Sequence, residues 1–361
     1  MSKIFFMTCI AVIIIFFSGC CCLTTYPNDS LHFDYEYNIT TNYEDDEMLT
    51  NQIIFCEEGT LSGYCSLVNV SYLCLNGTLI YSPIDCGCPK GKALSKDKLN
   101  CIEKYQHTEE GRLYWYNLRG EEDYITIETS PELKDYLVSL PRTYICINDV
   151  CPTDEEITLS FIDEEESVGR LNEIVKKIEN KTDDKDDQIR IAVSFVQSIP
   201  YDYELLENED YQALRYPYEV IYDNKGVCGE KSKLLAYIIR ELGYGVVLFE
   251  YGPENHMSVG IKCPKKYGYK GMEYCFIEST LPSIITDSSG EYEGAGKLWS
   301  EPIIIYVSDG YSFESVSEEY YDVEEWKRIN EIGNASGGFL TQEDYEKWQS
   351  LVQKYRMNIV D

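Results

Sequence analysis

The placement of its cysteines constrains this chain more than any other feature. Fifteen cysteines occur in 361 residues. Six of them, Cys56, Cys65, Cys74, Cys86, Cys88 and Cys101, fall within one short segment rich in Gly and Pro and poor in apolar side chains. A unit this small cannot hold itself by hydrophobic burial, so three disulfides are expected to staple it. Fifteen connectivities are open to six thiols. Zinc is the rival, since "CGC" could supply thiolates, but no His lies inside the segment and an exported chain favours disulfides. Cys146 and Cys151 flank "INDV", and Cys263 and Cys275 flank "PKKYGYKGMEY", which gives two more candidate pairs. Cys9 and Cys20 to Cys22 belong to the N-terminus. Cys228 is then the thiol left over. In an oxidising compartment an odd thiol is either reactive or bridged to another molecule.

Export is read from the first residues, "MSKIFFMTCIAVIIIFFSGCCC". Lys3 precedes an apolar run from Ile4 to Phe17, followed by Ser18, Gly19 and Cys20. This is the layout of a secretory signal. The run falls short of the about 20 apolar residues a membrane-spanning helix needs. "FSGC" resembles the lipobox of prokaryotic lipoproteins, with Phe17 where leucine is usual. That resemblance makes Cys20 the lipidation candidate and the outer face of the cell membrane the expected location, through an N-terminal anchor. Plain secretion and an uncleaved anchor are the alternatives. The 63 acidic and 31 basic side chains give a formal charge of −32. Such a surface repels nucleic acid and anionic lipid, so no nucleic-acid partner is expected. Sequons stand at Asn28, Asn38, Asn69, Asn76, Asn180 and Asn334, and export would expose them to glycosylation.

The chain divides by composition. Residues 1–22 are the signal and anchor, 23–50 an acidic tether without periodicity, and 51–105 the Cys-rich module. The module resembles short Cys-rich units of archaeal surface proteins. Residues 106–310 form the main domain and 311–361 a helical tail. "GRLYWYNLRGEEDYITIET" alternates around Gly120 as a hairpin does, and Pro131 opens a short helix. Residues 167–180 and 184–198 carry apolar side chains at helical spacing. So does the stretch after Gly229, with Leu234, Leu235, Ile238, Ile239 and Leu242 as its stripe. "VVLFEY", "HMSVGIKC", "YCFIEST" and "PIIIYV" then read as antiparallel strands, and Thr341 caps a last helix. The fold class expected is α+β.

Chemistry collects around Cys228. A cysteine attacks as thiolate, and a helix N-terminus favours that anion through its unpaired N–H groups. "KGVCGEKSKLLAYI" puts Cys228 there, with Gly226 and Gly229 expected to allow a tight turn and close substrate approach. A nucleophile needs a base. His32 lies in the tether and His107 beside the module, which leaves His256 as the domain's histidine. The imidazole needs an orienting acceptor, and Glu278 stands on the next strand. Strand parity puts His256 and Glu278 together, on the face opposite Cys263 and Cys275. Register conflicts with this: setting the two cysteines directly opposite leaves His256 facing residue 282, about 13 Å beyond Glu278. Taken singly, each residue has a plain reading as buried thiol, structural His or solvated charge.

"FVQSIPYDYE", "YPYEVIYDNKGVCGEKSKLLAYIIRELGYGVVL", "ENHMSVGI" and "YCFIEST" resemble the transglutaminase-like superfamily of papain-like cysteine enzymes, in particular its archaeal and bacterial extracytoplasmic members. The resemblance implies a papain-like transglutaminase core, with the nucleophile on a helix N-terminus packed on an antiparallel sheet. It matches Cys228 to the nucleophile, His256 to the base and Glu278 to the acid, which in the family is commonly Asp. Gly229 stands where animal transglutaminases have Trp, which speaks against protein crosslinking. The resemblance implies attack on an amide carbonyl, with an oxyanion held by the Cys228 N–H and by a second donor, for which Tyr201 is the candidate. No metal or other cofactor is implied. The expected activity is a cysteine peptidase or amidase acting on protein or a peptide-containing cell-surface polymer. An inactive binding lipoprotein and an amine-transferring crosslinker are the alternatives.

Overall fold

The computed structural model describes residues 54–357 except residue 67 and the segments 90–91, 96–97, 104–106, 109–110, 143–150, 207–213 and 293–294. The signal, Cys20, the tether with Asn28, His32 and Asn38, and Cys146 therefore lie outside the described residues.

The Cys-rich segment is held by disulfides. Cys56 bonds Cys74, Cys65 bonds Cys86, and Cys88 bonds Cys101. They staple a small hairpin, β1 (Tyr72–Leu75) against β2 (Thr78–Tyr81), that carries little buried apolar surface of its own. With all six sulfurs bonded to one another, none is left as a thiolate for zinc. Cys151 is also disulfide-bonded, as are Cys263 and Cys275 to each other. Bonds of this kind persist in an oxidising, extracellular environment. Among the described residues no helix is long and apolar enough to cross a membrane.

The rest is mixed α+β. Strands β3 (Gly111–Leu118) and β4 (Glu121–Ile127) form the expected hairpin, with a short edge strand His107–Thr108. Its turn uses Arg119 and Gly120, both at positive φ (52° and 91°). That pair of left-handed residues matches the right-handed twist of a two-residue hairpin. Helices follow: α1 (Pro131–Ser139), α2 (Asp154–Ile162), α3 (Glu165–Glu179), α4 (Lys185–Gln197), α5 (Pro217–Asp223) and α6 (Cys228–Glu241). Ser130, Thr153, Glu164 and Asp184 accept backbone N–H groups in the first turns of α1 to α4.

A second sheet is antiparallel throughout, in the order β7 (Tyr274–Ile277), β6 (His256–Lys262), β5 (Val246–Tyr251), β8 (Ile303–Ser308). Alternation along its strands separates two apolar layers. Val246, Leu248, Val259, Ile261 and Ile277 join the helices in the main core, while Val247, Phe249, Tyr251 and Phe276 pack with Tyr292 on the other face. Gly260 sits in that second face because a Cβ there would meet Val247 and Phe249 at 2.6–2.7 Å.

Helix α6 crosses the middle of the main core, in contact with α4, α5, β5 and β6. Its apolar stripe is buried as expected, yet every residue from Gly229 to Ile239 is buried, including Glu230, Lys231 and Lys233. A helix enclosed on all sides must pair its polar groups inside the protein. The tail holds α7 (Ser317–Ser336) and the Thr341-capped α8 (Gln342–Tyr355), which rests on β3 through a bond from Asn117 Nδ2 to the Lys354 carbonyl (2.7 Å). Of the sequons, Asn69, Asn76, Asn180 and Asn334 are exposed.

Candidate functional site

Cys228 is the first residue of α6 and the one free cysteine among the described residues; its side chain is half-buried. The helix start is fixed from both sides. Glu230 Oε2 accepts the Val227 N–H (3.0 Å), and Glu230 is itself held by Arg215, through the backbone N–H (2.8 Å) and the guanidinium (3.1 Å). Arg215 also pairs with Asp202 (2.7 Å) and Asp223 (2.9 Å), so one guanidinium ties three acidic side chains beneath the nucleophile turn. Gly226 fits closely there: a Cβ would press on the Val220, Glu230 and Lys231 side chains at 3.1–3.3 Å, and these would have to shift to admit it. Gly229 differs from the expectation. A Cβ at that position would find only ordinary contacts at 3.8–3.9 Å, and its backbone is simply helical.

The next layer comes from the turn between β5 and β6. Asn255, at φ 49°, brings its carbonyl to within 3.8 Å of Cys228 Sγ. His256 follows at once, fully buried. Its Nε2 lies 2.9 Å from Glu278 Oε2, and Tyr292 stacks on its ring at 5.7 Å between centroids and 8° between planes. Nδ1 is buried without a hydrogen-bond partner, and the Cys228 sulfur lies close enough to the imidazole to raise its pKa. Burial acts to lower the His256 pKa. The pull of Cys228 and Glu278 outweighs it and pushes the pKa up to about 10.

Register explains how both pairings coexist. Cys275 stands opposite Ile261, and Phe276 opposite Gly260. This alignment falls midway between the one that would set the cysteines opposite and the one that would set His256 opposite Glu278. Each pair is therefore diagonal, displaced by two residues on its own face; the long Glu278 side chain spans one offset, and the Cys263 and Cys275 Cα atoms approach to 5.7 Å across the other. Glu278 lies just past the end of β7, and its length is used fully. Oε1 accepts the Thr280 N–H (2.8 Å) and hydroxyl (2.6 Å), leaving Oε2 for His256.

Tyr201 is brought to the site by a bridge to Gly226, two residues before the nucleophile. Its hydroxyl interacts with both the backbone N–H and the thiol of Cys228. Burial, then the charge of Cys228, raises its pKa. The structure thus brings together Cys228, His256, Glu278 and Tyr201. Among the described residues no group of three His, Cys, Asp or Glu side chains is disposed to hold a metal ion.

Several supporting residues were not singled out in the sequence. Gln197 Nε2 donates to the carbonyls of Glu278 (2.8 Å) and Ser283 (3.1 Å). Ser232 donates to the Met257 carbonyl, so Ser279 Oγ, 2.9 Å away, donates to Ser232. These bonds fasten α6, β6 and the end of β7 to one another around the imidazole. The signal for them lay in "FVQSIP" and "CGEKS", where polar residues sit among apolar ones at core positions.

No family model matches this chain, and no curated protein matches it. What the chain can do is therefore read from the site itself. It holds a thiol at a helix N-terminus, an imidazole beside it that retains its proton, and a buried carboxylate on the imidazole's far nitrogen. That set can carry out nucleophilic attack on an electrophilic carbon and proton transfer to the group that leaves it.

Proposed function

We propose that the chain is a transglutaminase-like cysteine hydrolase with a papain-like core. It cleaves amide bonds in protein or a peptide-containing polymer of the cell surface, to which its N-terminal anchor holds it. The observation that carries the reading is the one free thiol of the described chain beside His256, whose Nε2 is bound to the buried Glu278.

The Cys228 thiolate attacks the amide carbonyl carbon and forms a C–S bond. The oxyanion meets the Cys228 N–H, with the Tyr201 hydroxyl as second donor. As the tetrahedral intermediate collapses, the C–N bond breaks and His256 gives its Nδ1 proton to the departing amine. A thioester on Cys228 remains. Neutral His256 then takes a proton from water as the water oxygen attacks the thioester. The thiolate leaves, a carboxylic acid is released, and the thiolate–imidazolium pair is restored. Glu278 keeps the imidazole oriented and balances its charge at both proton transfers.

Intact-mass analysis tests the reading. Incubation with reactive peptide esters should leave an acyl adduct on Cys228 that is absent from Cys228→Ala and from His256→Ala. Hydrolysis predicts release of free acid, and incorporation of a labelled amine would instead mark a transferase. Absence of any adduct on the folded protein would contradict the proposal.

A further inference from the structure

Lys231 lies three residues after Cys228 on α6 and is fully buried. Among the described residues no carboxylate stands at ion-pair distance from it. Its ammonium donates to the main-chain carbonyls of Ile199 (2.6 Å), Thr280 (2.8 Å) and Gln197 (3.4 Å). An ammonium has three donors and no acceptor, so all three are committed to the backbone. Burying a charge without a counter-ion is expensive, and a Met or Leu would fill this core position at lower cost. The three carbonyls are not arbitrary. Thr280 supplies the N–H and hydroxyl that hold Glu278 Oε1, and Ile199 precedes Tyr201 by two residues. One cation thus ties the nucleophile helix to the segment bearing the acid and to the segment bearing the tyrosine.

We propose that Lys231 is a positioning residue for the site: its ammonium clamps the Thr280 loop so that Glu278 meets His256, and clamps Ile199 so that Tyr201 stays at Cys228. The inference rests on the hydrolase reading above. The clamp is also sensitive to pH. Burial pushes the Lys231 pKa down to about 7, against the charge of Glu278, which is the titratable group of the surrounding elements that acts on it. On losing its proton the amine keeps two donors and turns a lone pair toward a carbonyl oxygen, so one of the three contacts becomes repulsive. His256 still holds its proton at that pH. The site therefore loosens above neutrality before its acid–base pair titrates.

The test uses Lys231→Met, which keeps the length of the side chain and removes the charge. Iodoacetamide alkylation of Cys228 is followed from pH 5.5 to 9 in the intact protein, with circular dichroism as the check on folding. The folded variant should react roughly tenfold to a hundredfold more slowly at pH 6, the scale of a small displacement of reacting groups. The wild-type rate profile should show an inflection near 7 that the variant lacks. A folded variant with the wild-type rate and profile overturns the proposal. If the variant does not fold, NMR of the wild-type protein decides: the His256 ring signals should step at the pH where the Lys231 ammonium titrates, and independent titrations overturn it. Wild-type Cys228 that never reacts contradicts the hydrolase reading instead, and the NMR titration still judges the clamp.

Discussion

Nε2 of His256 and Oε2 of Glu278 are 2.9 Å apart, and neither side chain is exposed to water. A carboxylate in that position holds the imidazole proton by charge as well as by hydrogen bond. Glu278→Gln keeps the shape and removes the charge. The His256 pKa should then fall by about 1–3 units, the usual effect of one adjacent opposite charge. Proton NMR of the ring resonances reads this directly, and an unchanged titration would mean that Glu278 plays no electrostatic part.

Stability should follow the same proton. His256 titrates at about 10 in the folded protein, against 6.5 for an unperturbed histidine. The folded state binds the proton more tightly, so the contribution to stability is complete below about 6.5. It drains away as pH rises through about 10. Urea unfolding at pH 6, 8 and 10 should show the wild-type protein losing more stability across this window than His256→Gln does. Parallel losses would contradict the assignment.

Arg215 makes a third prediction. It faces Asp202, Asp223 and Glu230, and the Glu230 side chain is completely enclosed. Arg215→Met strands these carboxylates under the nucleophile turn. Breaking a buried pair by removing one partner costs about 3–5 kcal/mol. Urea denaturation should find a loss of that order, and a loss under about 1 kcal/mol would place the network with exposed ion pairs.

Much of this was legible in the chain. Helical spacing marks α3, α4 and α6, alternating or continuous apolar runs mark the strands, and cysteine arithmetic leaves Cys228 as the odd thiol. Parity correctly put His256 and Glu278 on one face. Register could not be read, because it depends on where β6 and β7 begin to pair, and the diagonal alignment satisfies two constraints that looked exclusive. The buried polar residues of α6 were missed for a physical reason. Glu230 and Lys233 occupy helix faces that periodicity assigns to solvent, and only the surrounding helices and sheet reveal that those faces are covered, while Lys231 stands in line with Leu234, Leu235 and Ile238 on the apolar stripe itself. The tight turn expected at Gly229 does not need a glycine, because its backbone is helical and a Cβ would meet only ordinary contacts.

The central claim is that Cys228 and His256 act as one unit. The most direct measurement is the rate of iodoacetamide alkylation at Cys228 below pH 7, in the wild-type protein and in His256→Ala, with the modified residue located by mass spectrometry. The account predicts stoichiometric labelling of wild-type Cys228 at pH 6, where an unactivated thiol with a pKa of about 8.5 is almost wholly protonated. It also predicts loss of that labelling in His256→Ala. Equal rates in the two folded proteins, or a wild-type Cys228 that stays unlabelled, would contradict it.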